Sequence, residues 1–262
     1  MNVGPTGGIV AVVAHPDDEA LIAGGTLALA VDAELATGVV SLTRGELGPI
    51  SDPRLADERT LGAVRERELR ASGALLGIDW TRCLQHPDGM LEWVDGEAVA
   101  IELATMLRTR RPAVLLTFGE DGVYGHQDHV ATRLVAGRAA ALLAPAAPLV
   151  YEAVWAPQLA GELVADARSR GLPDSLWGIE PEAFGSAAGP ATRVDVRAVV
   201  GRKLAALRAH RTQLEDDHVL FALPADLAAR HLGKEAWRPA DPDAPDVLAE
   251  LFADHLAGEP HD

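Results

Sequence analysis

The sequence predicts an α/β protein: a doubly wound, mostly parallel sheet with a C-terminal helical extension. Three observations predict it. The run Gly8-Ile9-Val10-Ala11-Val12-Val13-Ala14 is short, mainly β-branched and bounded by Gly and Pro, the pattern of a strand buried on both faces. Similar runs alternate with helical patterns, which implies right-handed crossovers between parallel strands. The length of 262 residues suits one large domain, since single folds rarely exceed ~250–300 residues. The expected arrangement is Rossmann-like, with strand order 3-2-1-4-5.

The elements follow in order. After the first strand, a helical pattern covers about Glu19 to Ala33, and Thr37 to Leu42 is a second strand. A loop rich in Gly, Pro, Ser and Asp runs from Thr43 to about Ala56. A charged amphipathic helix follows over about Asp57 to Leu76, then a strand over Arg82 to Gln85 and a turn at Pro87-Asp88-Gly89. A helix over about Gly96 to Arg110 precedes a fourth strand, Ala113 to Phe118. A Gly-rich loop leads into a helix over about Gln127 to Leu143, and Leu149 to Val154 is a fifth strand. Residues Trp155 to Gly189 read as a substrate-facing insertion. Arg193 to Val196 is a candidate strand and Val199 to Leu214 a helix. The tail from Asp216 is helical in parts, with a polar, Pro-containing stretch at Arg238 to Pro245. Residues 1–262 are thus expected to form one domain, with a core over about 8–154 and an insertion plus extension over about 155–262.

Composition excludes several functions. Lys+Arg 23 against Asp+Glu 39 leaves a formal charge of −16, which disfavours non-specific nucleic-acid binding and docking on anionic lipid. The single cysteine, Cys83, excludes an internal disulfide and a Cys-rich zinc site and reads as a small core hydrophobe. Met1 to Gly8 lacks a basic region followed by an apolar run, and Ala20 to Val31 is too short to span a bilayer. A cytoplasmic protein with no integral membrane segment is expected. Oligomeric state has no signature in the sequence.

Two motifs carry chemistry. His15-Pro16-Asp17-Asp18-Glu19 closes the first strand, where ligands bind in such sheets. His15 and Asp18 are three apart and of metal-ligating type. Asp17 remains free, so one carboxylate can bind metal while the other handles protons. A helix cap beside a loop histidine is the plainer reading of this motif alone. The second motif, Tyr124-Gly125-His126-Gln127-Asp128-His129, follows the fourth strand. In order 3-2-1-4-5 the first and fourth strands are neighbours at the switch point, so the motifs meet. Three His/Asp ligands would leave a zinc position open for water, as in catalytic sites.

These residues resemble the LmbE-like, or PIG-L, family of zinc-dependent de-N-acetylases acting on N-acetylglucosamine-containing substrates. Ala14 to Glu19 matches the opening Ala-His-Pro-Asp-Asp-Glu, and Gly125 to His129 matches Gly-His-x-Asp-His. Thr43 to Gly48 matches Thr-Arg-Gly-Glu-x-Gly, and Arg65 with Glu68 an Arg-x-x-Glu pair. The likeness covers about Ile9 to Ala140 and returns weakly at Lys203 to Gln213. It implies His15, Asp18 and His129 as ligands of Zn2+, or of another divalent metal. It implies Asp17 as general base for a metal-bound water attacking the amide carbonyl. His126 would stabilise developing charge or protonate the leaving amine, with Asp128 orienting or charging it. Tyr124 would contact the oxyanion. Arg65, Glu68 and Asp88 are candidates for sugar or aglycone contacts. Gln127 stands where many relatives have Pro, and Ala20 where mycothiol-pathway members often have Ser.

The remaining features have plainer readings. His86-Pro87-Asp88 is a loop rather than a second metal site. Arg44-Gly45-Glu46 positions substrate or simply ends its strand. Trp155 and Trp177 read as insertion core before sugar stackers. His210 is family-like without a derivable role. No phosphate loop, dinucleotide fingerprint or Gly-x-Ser-x-Gly motif occurs. The expected partner is a small amino-sugar conjugate. The competing readings are an amidase cleaving a larger acyl group from a glucosamine conjugate, and a non-catalytic sugar-binding relative.

Overall fold

The computed structural model describes residues 7–185 and 190–256. Residues 1–6 of the expected N-terminal reading, and the last four residues of the 155–189 segment, lie outside them.

Seven strands form one sheet in the order β3-β2-β1-β4-β5-β7-β6. β1 (Ile9–Val13) is buried along its whole length. It pairs in parallel with β2 (Thr37–Thr43) on one side and β4 (Val114–Thr117) on the other, so Ile9 stands opposite both Thr37 and Val114. β3 (Trp80–His86) and β5 (Leu149–Ala153) extend the parallel part outward. The expected order is therefore present, and the switch point lies between β1 and β4.

Helices cover both faces. α1 (Gly24–Asp32) and α2 (Leu61–Leu76) lie with α7 (Val200–Ala209), while α3 (Gly96–Arg110) packs on α5 (Gln127–Ala141). A single turn, α4 (Gly122–Gly125), precedes α5. α6 (Leu159–Ser169) packs against α8 (Ala225–His231), and α9 (Val247–Leu251) comes last. Among the described residues no helix is long and apolar enough to cross a membrane.

Several boundaries differ from the sequence reading; the helix read over Val199 to Leu214, for one, ends at Ala209. The pattern over Glu19 to Ala33 divides into a π-helical turn, Glu19–Ala23, followed by α1. Such wide turns recur at functional sites. The charged helix begins at Leu61 rather than Asp57, because Asp57 caps the preceding turn through Thr60 N–H and Oγ. The extension contributes two strands, one at the expected Arg193 to Val196 and one that the sequence reading lacks. β7 (Lys234–Pro239) runs antiparallel between β5 and β6 (Thr192–Asp195), overlapping the stretch read as polar. Its inward positions are Glu235 and Trp237. A buried carboxylate in the alternation hides the strand signal.

Glu235 explains its own burial. Its oxygens accept from Gly25 N at 2.7 Å, Thr26 N at 2.8 Å, Thr26 Oγ1 at 2.6 Å and Lys203 Nζ at 2.6 Å. Trp237 Nε1 donates to Thr26 Oγ1 at 3.0 Å. The extension thus grips the N-terminus of α1, one turn beyond the His15–Glu19 motif. Gly25 permits this approach, since a Cβ there would meet Val196 Cβ at 2.5 Å.

Candidate active site

The carboxyl ends of β1 and β4 bring the two motifs together. His15, Asp18 and His129 present ligand atoms within 4.8 Å of one another, and all three are buried. His15 N–H donates to Asp18 Oδ2 at 2.8 Å, which fixes the carboxylate. His129 Nδ1 lies 2.9 Å from Gly122 O. A carbonyl only accepts, so the proton sits on Nδ1 and the Nε2 lone pair faces inward. That Nε2 has no hydrogen-bond partner, yet Asp18 Oδ1 is 3.3 Å away. The ring is clamped by Phe118, stacked at 4.0 Å and 4°.

His15 repeats the pattern. Its Nε2 lies 3.1 Å from Asp88 Oδ1 and 3.2 Å from Asp128 Oδ2. Carboxylates only accept, so Nε2 carries a proton and Nδ1 turns its lone pair on Asp18 Oδ2 at 3.3 Å. Two imidazole lone pairs thus converge on one carboxylate, and a proton or a cation must sit between them. Burial disfavours a charged His15, but Asp128, Asp18 and Asp88 raise its pKa well above the ordinary value. Burial would raise Asp18, but His129 and His15 hold it well below the carboxylate range. The donor set suits a divalent metal of zinc type, with carboxylates behind a ligating imidazole.

Asp128 therefore faces away from its expected partner. Its carboxylate binds His15 and accepts from Gly89 N at 2.8 Å and Leu91 N at 3.0 Å. Only its backbone N–H reaches His126, donating to Nδ1 at 3.2 Å. The reason is local: His126 is the N-cap of α5 and bonds the first turn. His126 consequently carries its neutral-state proton on Nε2. Burial, then the neighbouring His129 and His15, lowers its pKa to about 4.

Asp17 lies beside the cluster and lines the cleft with His15, Asp18, Tyr124 and His126. Its backbone has φ 128°, a conformation that costs a non-Gly residue about 1–3 kcal/mol. Burial pushes its carboxyl up to about 6, against the pull of Arg65. Arg65 is buried, and its guanidinium donates to Pro16 O at 2.7 Å, Gly45 O at 2.8 Å and Asp17 Oδ2 at 3.1 Å. Gly45, at φ 62°, leaves room that a Cβ would take, since it would meet Arg65 Nη1 at 2.3 Å.

The expected substrate residues divide. Arg65 and Asp88 line the cleft, although both are engaged: Asp88 with His15 and with Leu47 N at 2.8 Å. Glu68 does not line it. Its carboxylate accepts from Thr212 N at 2.8 Å and Thr212 Oγ1 at 2.6 Å, tying α2 to the segment after α7. Trp177, Ile179, Leu47 and Gln213 complete the wall of a cleft of about 380 Å³. Sequence reasoning missed Glu19, Ser72 and His210, which meet in the core beneath Asp17. Glu19 is spelled out in the first motif and His210 in the family-like tail, but only the fold joins them.

The fold is the one expected of the LmbE-like family, a doubly wound sheet with both motifs at its switch point. The family model described as GlcNAc-PI de-N-acetylase (PIG-L) matches residues 10–140, and the chain belongs to that family. A 1D-myo-inositol 2-acetamido-2-deoxy-alpha-D-glucopyranoside deacetylase of Acidothermus cellulolyticus is 32% identical over 255 residues, covering 87% of each chain. Among solved structures, a conserved protein of Thermus thermophilus superposes with TM-score 0.59 and 25% identity, over 90% of this chain and 96% of that one. The 4-carboxy-2-hydroxymuconate hydratase of Pseudomonas putida has TM-score 0.62 at 19% identity, over 92% of this chain and 98% of its own. Shape alone is thus shared with a hydratase. The family and the curated relative carry the reaction class: this chain is a de-N-acetylase, a hydrolase of linear amides.

Proposed function

We propose that the protein removes the acetyl group from an N-acetylglucosamine conjugate of inositol type, in the cytoplasm, with zinc or a similar divalent metal. The observation that carries the metal is the convergence of the His15 and His129 lone pairs on Asp18. The inositol-type conjugate is supported by what the Acidothermus relative is named for. A cation held by His15, Asp18 and His129 would supply Lewis acidity toward the carbonyl and acidify the attacking water.

The chain's own groups do the rest. Asp17 takes the proton from the attacking water and is close enough to neutrality to return it to the leaving amine. His126 donates through Nε2 to the developing oxyanion. Tyr124 adds a second donor; burial, with Asp18 and Asp17 nearby, keeps its hydroxyl protonated. Asp88 and Asp128 hold His15 in the ligating tautomer.

The test is amine release from N-acetylglucosamine conjugates by zinc-loaded protein, beside Asp17→Asn. Inositol-type conjugates are expected to turn over fastest. Asp17→Asn is expected to keep its zinc and lose about 10²–10⁴-fold in kcat, the range for a general base. No amine release from any conjugate by loaded protein sinks the reading.

A further inference from the structure

We propose that Glu19, Ser72 and His210 form a buried positioning device that aims Asp17 at its proton. The proposal rests on the reading of Asp17 as the base. Glu19 and Ser72 are fully buried and His210 is 1% exposed. Glu19 Oε2 accepts the backbone N–H of Asp17 at 2.9 Å. Glu19 Oε1 accepts from Ser72 Oγ at 2.6 Å and pairs with His210 Nε2 at 2.8 Å. The three donors come from the turn after β1, from α2 and from the segment after α7.

Two features separate this network from an ordinary core contact. First, it ends on the backbone of the one residue of the motif with positive φ, Asp17 at 128°. Such a conformation persists only where its surroundings fix it. Arg65 holds the side chain of Asp17 from one side, and Glu19 holds its N–H from the other. Second, the chemistry at position 19 requires a carboxylate. A Gln there would turn its NH2 either on the Asp17 N–H or on the Ser72 and His210 donors. Only an ionised carboxylate accepts at both oxygens. Glu19, Ser72 and His210 are all buried, so water does not replace a missing side-chain donor. The device also gives the family-like tail a role, since His210 lies 191 residues from Glu19 and outside the matched span 10–140.

The experiment compares full-length, zinc-loaded Ser72→Ala, His210→Leu and His210→Gln with wild type and Asp17→Asn. Zinc content, melting temperature, kcat and KM are measured on each. Ser72→Ala and His210→Leu are expected to keep stoichiometric zinc and KM within about twofold while kcat falls roughly 10- to 100-fold, as for a misplaced catalytic group. His210→Gln is expected to recover most of the rate, because its amide still donates to Glu19 Oε1. If His210→Leu does not fold, Ser72→Ala decides, since it removes one donor and little volume. Wild-type kcat in folded Ser72→Ala and His210→Leu, with Asp17→Asn inactive, overturns the positioning role alone. A loss of kcat equal in His210→Leu and His210→Gln and following melting temperature also overturns it. Full turnover by Asp17→Asn removes the base, and the proposal with it.

Discussion

Asp18 concentrates the chemistry of single residues, because two imidazoles and one backbone N–H converge on its carboxylate. Each imidazole is oriented by what lies behind it. Gly122 O fixes the tautomer of His129, and Asp88 with Asp128 fixes that of His15. Removing a ligand therefore differs from removing an orienting group. His129→Ala is expected to weaken zinc by more than roughly 100-fold, since loss of an outer partner alone costs 10–100-fold. Asp88→Asn is expected to fall inside that range, because an amide oxygen can still accept from His15 Nε2. Zinc titration of the apo proteins with a competing chelator measures both. Equal affinities for His129→Ala and wild type would falsify the ligand assignment.

At the scale of elements, much of the site was legible before the fold. His15, Asp17, Asp18, His126 and His129 sit at the ends of β1 and β4, where strand alternation and the switch-point rule place them. Those signals are local: a β-branched run, then a turn rich in ligating residues. What the sequence hid is non-local or contrary to pattern. β7 escaped notice because Glu235 interrupts its apolar alternation, and the carboxylate makes sense only beside Lys203 and the α1 N-terminus. The family resemblance pairs Asp128 with His126, whereas its carboxylate turns to His15 from across the switch point. Glu68 is a substrate-contact candidate by the family resemblance alone, and the structure gives it to Thr212. The grip of β7 on α1 has a measurable weight. Lys203 and Glu235 are each 3% exposed, and breaking a buried pair from one side costs about 3–5 kcal/mol. Glu235→Ala is expected to lose stability in that range by urea denaturation. A loss below about 1 kcal/mol, the value of an exposed pair, would show that water reaches Lys203.

The molecule as a whole carries −16, so acidification both relieves its self-repulsion and charges its buried histidines, with opposite effects on stability. His218 is the clearest of the second kind. Its Nδ1 accepts from Leu220 N at 3.1 Å, its ring lies 4.2 Å from that of Trp177, and its Nε2 has no partner. Burial lowers its pKa to about 4, from an ordinary value of 6.5. The folded state therefore resists a proton that the unfolded chain accepts. Its contribution is intact above pH 6.5 and is lost progressively as pH falls through about 4, where the penalty reaches on the order of 3 kcal/mol. Replacing the imidazole removes that proton from the balance while leaving the overall charge term in place. His218→Gln is thus expected to lose less stability than wild type between pH 7 and pH 4, whatever its stability at pH 7. Urea denaturation at half-unit steps of pH measures the difference in slope. Parallel curves for the two proteins would mean that His218 is charged in the fold, with its Nε2 proton reaching water through the wall that Trp177 forms beside the cleft.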